Sequence, residues 1–476
     1  MEHQMLRVPQ REVCRCESVL LSIGTATCKR PSAAWRVNRQ SSRLTQPHGR
    51  ETVDMNTSGQ LQNFWTLCVT LMVLGCLSNA VAQASYKVND LGALGDDNLS
   101  CAMSINNEGQ VVIQDAAMVP GQQDNAGGTI LKARDAIYIN GRQVDLRTLG
   151  GENSWMNWGQ INDLGQIVGD SETAVPDPNG EDVCGFGTHK TCSAFLWQSF
   201  HMIALPTLGG NNGQASAIND SGQIVGFAED GSVDSSCPSN KTNNRTQLPV
   251  LWENGKAKAL PTGGDSSGNA LWINEKGQIV GFTGSCAATN HAVVWDHDNL
   301  NTLLDNGTGA EAFGNNNRGQ IVGFVGAPGS GIPIAALWQN DTLITLGLLP
   351  GDLGGIASGL NDKGQVVGSN FDSQGNWNHA FVWQNNVMTD LNTLIPKSSN
   401  LLAVMANKIN ERGQISGMAI VLSGPHKNNI HAFIATPVNE SIGRSVADDG
   451  PIRPQSNLPA NIGPKHFERF GLGRGQ

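Results

Sequence analysis

The chain has 476 residues, 57 of them Gly, with only 15% charged residues and a formal net charge of -10. Few charges, abundant Gly and no long amphipathic segment of 3.6-residue period exclude a helical bundle and a disordered chain, and point to an all-β protein. The acidic balance argues against nucleic acid and anionic membrane surfaces as partners.

Residues 1 to 54 carry nine Lys/Arg against five Asp/Glu and show no apolar periodicity, so they read as an over-long translation start or a disordered arm. Residues 55 to 84 contain an apolar run from Phe64 to Leu77, then Ala82 and Ala84 at the -3 and -1 positions of a cleavage site. That is the pattern of a signal peptide starting at Met55. No Lys or Arg lies between Met55 and Ala84, and "VLGC" ending at Cys76 leaves a lipid anchor as the alternative. The apolar run, roughly 14 residues, is short for a bilayer-spanning helix. The expectation is a secreted protein, extracellular or periplasmic, with no transmembrane anchor after cleavage.

From Tyr86 onward the chain repeats itself. "SINNEGQVVIQ", "QINDLGQIVGD", "AINDSGQIVGF", "WINEKGQIVGF", "GNNNRGQIVGF", "GLNDKGQVVGS" and "KINERGQISGM" place a turn glycine at Gly109, Gly165, Gly222, Gly277, Gly319, Gly364 and Gly413. The spacings are 56, 57, 55, 42, 45 and 49 residues, a period near that of blade-type repeats. Within Ala357 to Leu394 four short strand-like runs appear, near 357–360, 365–368, 379–383 and 387–391, separated by turn residues. Four antiparallel strands per unit repeated radially make a β-propeller. Asn and Asp open a tight turn and Gly supplies positive φ, so the repeated motif reads as the fastener of an architecture rather than a ligand site used seven times.

Small residues, Ala102, Ala215, Ala270, Ala312, Ala357 and Ala406, mark an innermost strand where blades converge, with Trp158 as the exception. Trp197, Trp252, Trp295, Trp338 and Trp383 end the third strand and are expected to wedge between blades. The last unit ends at "HAFIATP" without a fourth strand, and "YKVNDLGALG" at the other end supplies the missing piece. The predicted fold is a seven-bladed β-propeller over residues 85–438, its N-terminal strand completing the last blade and leaving few free sheet edges. An open β-solenoid with caps is the alternative. Residues 439–476 lack an apolar anchor and read as a disordered tail.

The units "INDSGQIVGF" and "HAFVWQNNVMTDLNTL" resemble the HAF repeat, named for its His-Ala-Phe triplet, of extracellular repeat proteins of bacteria. The resemblance covers roughly residues 86 to 438 and implies export and a repeat fold; it brings no catalytic residues. Several units depart from the triplet, with Asp135, Ser193, Leu248 and Ile334 at the place of His291, His379 and His431. Apolar equivalents at that place make the histidines read as packing positions rather than ligands.

Oxygen-only cation sites need converging acidic ligands, and the residues after each Gly-Gln are largely apolar. No nucleophile elbow, zincin motif, phosphate loop or zinc cysteine spacing appears. The sequence therefore assigns no metal, cofactor or catalytic residue. The segments from second to third strand are long in three neighbouring units, at 22, 24 and 22 positions against 10, 11, 11 and 14. Long loops on a rigid scaffold are where recognition resides. Candidate ligand-binding residues are Trp155 and Trp158 for stacking, with Asp170, Glu172, Asp177, Glu181, Asp182, Glu229 and Asp230 as solvated loop carboxylates. Paired carboxylates also suit glycosidase chemistry. In an oxidising compartment Cys184 is expected to pair with Cys192 and Cys237 with Cys286, leaving Cys101 unpaired and buried. The functional expectation is a monomeric, non-catalytic binding or surface-interaction module for a glycan or protein ligand. The alternatives are a propeller enzyme acting on polysaccharide and a purely structural envelope component.

Overall fold

The computed structural model describes residues 85–438 apart from 95–98, 124–128, 157–159, 235–236, 238–244, 286–289 and 298. Residues 1–84 and 439–476, on which the expected leader, arm and tail fall, lie outside the described residues, as do Trp158 and Cys286. The fold is an all-β propeller of seven blades. Blade 6 shows the plan, with antiparallel strands Gly354–Leu360, Val366–Phe371, Trp377–Gln384 and Val387–Asp390 running outward from the axis. Blades 2 to 5 are likewise separate four-stranded sheets, and blades 1 and 7 touch through a parallel bridge between Leu99 and Ile430.

The chain ends close the ring. Blade 7 takes three strands from Leu401–Ile409, Ile415–Val421 and Ile430–Val438. Its fourth is Ser85–Gly92, paired antiparallel from Ser85↔Val438 to Gly92↔Ala432. Closure of this kind leaves only short sheet edges exposed.

Each repeated turn is a hairpin whose Gly has φ between 76° and 79°. In the third copy the Gly222 N–H donates to the Asn219 carbonyl at 3.0 Å and the Asn219 N–H to the Gln223 carbonyl at 3.1 Å. The Asn side chain does more than open the turn. In all seven copies its Oδ1 accepts the N–H of the Gln four residues on, at 2.9–3.1 Å. Its Nδ2 crosses to the next blade and donates to the carbonyl of the next turn Asn, from Asn106 through Asn162, Asn219, Asn274, Asn316, Asn361 and Asn410 back to Asn106, at 2.9–3.2 Å. The result is a closed ring of seven buried hydrogen bonds around the axis, each worth about 1 kcal/mol.

The following residue adds a second ring. Asp163, Asp220, Glu275, Asp362, Glu411 and Asn107 each accept the backbone N–H of the equivalent residue in the adjacent blade, at 2.7–3.0 Å. Among the described residues one step lacks this bond, between Glu275 and Asn317, and the Asn317 Oδ1 has no partner. The motif therefore fastens blade to blade as well as strand to strand.

The second glycine of "GQIVG" has a separate cause. The innermost strands of six blades carry a bulge at one place, between Ala215 and Ala217 in blade 3. Opposite that bulge a Cβ on Gly226 would stand 1.9 Å from the Gln214 carbonyl oxygen, and one on Gly281, Gly323, Gly368 or Gly417 would be as close to its counterpart. The inner alanines are 0–1% exposed and lie in the apolar clusters between blades. The third-strand tryptophans join them, and Trp252, Trp295 and Trp338 also donate their indole N–H to carbonyls of Pro206, Pro261 and Leu304 in the segment leaving the preceding blade, each at 2.7 Å.

Candidate functional site

The second-to-third strand loops and the interblade segments share one face of the ring, and the repeated turns form the other. On the loop face the acidic residues are not solvated as the sequence reading expects. Asp170, Glu172, Asp177, Glu181 and Glu229 are all buried. The reason is an amide entering the innermost strand of blades 2 and 3. Asn212 accepts the Cys192 N–H at 2.8 Å, while its Nδ2 donates toward Asp177 at 3.0 Å, Glu181 at 3.4 Å and Glu229 at 3.2 Å. Asn153 repeats the plan one blade earlier, accepting the Ala133 N–H at 3.1 Å and donating to Glu172 at 2.9 Å. Each ties the third strand of one blade to the second strand of the next.

The other contacts of these carboxylates are internal as well. Glu172 accepts the Thr188 hydroxyl, and Glu229 accepts the backbone N–H groups of Asn211 and Asn212. Asp177 accepts the N–H groups of Asn179 and Glu181, and Asp182 accepts that of Gly187. Asp230 turns back onto Ser232. Three carboxylates around one amide carry excess negative charge. Burial, then the charges of Glu229 and Asp177, push Glu181 up to about 6.

Cys184 and Cys192 form a disulfide that closes "CGFGTHKTC" within the blade 2 loop. Cys237 is also disulfide-bonded; Cys286, its expected partner, lies outside the described residues. Cys101 is a free thiol, 1% exposed and pushed up to about 12 by burial. The stapled loop drives Phe186 inward to 2% exposure, edge-on to Trp155 at 5.7 Å. Trp155 is itself 5% exposed, so its ring packs against the loop instead of facing solvent. Asp170 lies beneath, 2.9 Å from Gln214 Nε2 and 3.4 Å from Cys192 Sγ. A disulfide sulfur has no proton to donate, and burial pushes this carboxyl up to about 7.

The triplet histidines are more than packing groups, which corrects the sequence reading. His379 Nδ1–H donates to Asp352 at 2.8 Å and His431 Nδ1–H to Asp90 at 2.9 Å, while His291 lies 3.6 Å from Asp305. Each aspartate belongs to a segment running along the outer edge or between blades, so the pair is a clasp. Burial opposes protonation of His379, and the hydrogen bond and charge of Asp352 outweigh it, raising its pKa above 6.5.

The turn face holds a feature that sequence reasoning missed. A cavity of about 160 Å³ opens on the axis inside the Asn ring. Its mouth carries the carboxylates of Asp163, Asp220, Glu275, Asp362 and Glu411. Two residues before each turn Asn the chain has Ser104, Gln160, Ala217, Trp272, Gly314, Gly359 and Lys408. The three large members, Gln160, Trp272 and Lys408, line the cavity. The Lys408 ammonium lies 3.9 Å over the Trp272 ring and donates to the Ser358 carbonyl at 2.9 Å. Burial lowers its pKa to about 7. Asn315, where the other units have Ile or Leu, lines it too. The signal was in the sequence, as breaks in an otherwise regular repeat.

No protein-family model matches the chain, and no curated protein matches it. Among solved structures it is similar to a gluconolactonase from Xanthomonas campestris, with 9% identity, a TM-score of 0.36 and coverage of 76% of this chain and 94% of that one. It is similar also to a streptogramin B lyase, with 9% identity, a TM-score of 0.43 and coverage of 75% and 100%. A fungal alcohol oxidase in complex with copper gives 11%, 0.42, and 74% and 76%. Likenesses this distant carry no activity over to this chain. Among the described residues no helix is long and apolar enough to cross a membrane.

Proposed function

We propose that the chain is an exported, non-catalytic recognition protein of the HAF-repeat type, with its ligand face formed by the long loops of blades 1 to 3. The observation that carries this reading is the use of the loop carboxylates. Glu172, Asp177, Glu181 and Glu229 are buried and bonded to Asn153, Asn212 and backbone N–H groups. They hold a stapled loop in one shape, which is how a preorganised binding surface is built, and they do not present the paired acid and base of a glycosidase to solvent. The bonded Cys184, Cys192 and Cys237 suit an oxidising compartment, in keeping with the leader read at 55–84. The raised Glu181 favours the second reading, a propeller enzyme acting on polysaccharide, because general acids are tuned upward in this way.

The test is a glycan and cell-envelope array probed with the purified full chain, beside a version whose blade 2 loop between Asp177 and Lys190 is replaced by a short turn. Binding that the shortened loop abolishes, without turnover, is the expected result. Hydrolysis of a bound glycan that Glu181→Gln abolishes would replace this reading with the enzymatic one.

A further inference from the structure

The Cys184–Cys192 disulfide rests on a buried carboxyl. Asp170 Oδ2 lies 3.4 Å from Cys192 Sγ and 3.7 Å from Cys184 Sγ, so one oxygen faces both sulfurs. Gln214, reaching in from blade 3, holds the other oxygen, donating to Oδ1 at 2.9 Å. Among the described residues Oδ2 has no further hydrogen-bond partner, and Asp170 is 1% exposed. Blades 3, 4 and 5 carry Phe227, Phe282 and Phe324 at the equivalent place after "GQIVG". A loop held only by a structural staple would be served as well by such an apolar neighbour.

A disulfide offers Oδ2 no proton, whereas two thiols would offer two. The oxidised pair therefore leaves buried hydrogen-bonding capacity unmet that the reduced pair satisfies. The two sulfurs also differ in access. Cys192 is fully buried, with its backbone N–H held by Asn212 at 2.8 Å, while Cys184 is only half-buried. Thiol–disulfide exchange proceeds by attack of a thiolate on one sulfur and departure of the other. Here the accessible sulfur is Cys184, and the departing one is Cys192, the nearer of the two to Asp170.

We propose that the Cys184–Cys192 disulfide is an exchange site for a low-molecular-weight thiol or dithiol, which bonds to Cys184 while the Asp170 carboxyl gives a proton to the departing Cys192. With a dithiol the step balances as follows. One thiolate of the dithiol bonds to Cys184 Sγ, the bond to Cys192 breaks, and Cys192 leaves with the electron pair and takes the Asp170 proton. The second thiolate then attacks its own sulfur in the mixed disulfide and releases Cys184. The two protons lost by the dithiol replace those taken up by Asp170 and Cys184. The protein disulfide gains two electrons, and the dithiol departs as a disulfide. Burial, which pushes the Asp170 carboxyl up to about 7, keeps it partly protonated near neutral pH, as a proton donor requires. Exchange opens the loop that carries Phe186 onto Trp155, on the face given above to recognition.

The experiment is reduction of the full chain by dithiothreitol at pH 7, with samples quenched by alkylation and the Cys184, Cys192 and Cys237 thiols followed separately by peptide mapping. The Cys184–Cys192 bond is expected to open faster in the folded chain than in the same chain unfolded in urea, where Asp170 no longer faces it. Asp170→Asn is expected to slow the opening in the folded chain about tenfold or more, with the disulfide at Cys237 unaffected. Glutathione used in place of dithiothreitol is expected to be trapped on Cys184. Slower opening in the folded chain than in the unfolded one, an unchanged rate in Asp170→Asn, or glutathione trapped on Cys192 overturns the proposal. Should Asp170→Asn fail to fold, the folded-to-unfolded rate ratio and the trapping position in the unaltered chain decide. None of these outcomes depends on what the loop face binds, so the two readings stand or fall separately.

Discussion

Replacing Asn219 by Ala removes one rivet of the ring. The side chain is fully buried and makes three bonds, to the Asn274 carbonyl at 3.2 Å, to Gln223 Oε1 at 2.8 Å and from the Gln223 N–H at 3.0 Å. Three lost bonds at about 1 kcal/mol each give a loss of about 3 kcal/mol, the Asn274 carbonyl keeping the Gly277 N–H at 3.0 Å. Its neighbour Asp220 is exposed and accepts one bond, from the Asp163 N–H at 2.8 Å, so Asp220→Ala is expected to lose only about 1 kcal/mol. Asn219→Asp keeps the acceptor but sets a carboxylate against two oxygens, and is expected to be no better than Ala. Urea denaturation of all three variants, followed in parallel by tryptophan fluorescence and far-UV circular dichroism, checks the ranking. Equal losses for Asn219→Ala and Asp220→Ala would refute the ring as a source of stability.

Gly226→Ala sets a Cβ 1.9 Å from the Gln214 oxygen, and the forced separation of the two inner strands is expected to cost more than about 3 kcal/mol; a loss under 1 kcal/mol in the same denaturation assay would show that the strands have room. Asp170 has a folded pKa of about 7 against 3.8, so the folded state holds its proton more tightly and stability falls as pH rises between these values. Asp170→Asn is therefore expected to stabilise the protein at pH 8 and not at pH 3.5, read as the difference in melting temperature. The His379–Asp352 clasp has the opposite origin but the same direction. The raised pKa of a base means its contribution is present below 6.5 and lost as pH climbs through the folded value. The advantage of the parent chain over His379→Gln should be larger at pH 5.5 than at pH 8.5, with the His379 ring titrating above 6.5 by nuclear magnetic resonance.

The architecture was legible because it repeats. The positive φ of Gly222 and its six equivalents, the buried inner alanines, the wedged tryptophans and the exchange of the chain ends all follow from residues at fixed places in each unit. What the sequence hid is partnership across blades. Asn219 stands out as a turn residue, yet its second partner is Asn274, 55 residues away, and no local pattern reveals it. The same holds for His379, whose partner Asp352 precedes it by 27 residues, and for Asn212, which draws Asp177, Glu181 and Glu229 out of solvent. Long polar loops read as solvated because sequence reports composition, and burial depends on what folds over them. The axial residues Gln160, Trp272, Asn315 and Lys408 were visible as breaks in the repeat, but only the closed ring brings them to one cavity.

The central claim is that the repeated turn fastens a ring locked by its own ends. Deleting Ser85–Gly92 and following backbone hydrogen exchange tests it most directly. That strand lies along Ile430–Val438, its Asp90 holds His431, and the nearby seam is crossed by the Asn410 to Asn106 rivet at 2.9 Å. The account predicts that the deletion lowers the melting temperature and speeds exchange in Ile430–Val438 and Leu99–Ile105 together. Unchanged protection on both sides of the seam would contradict it.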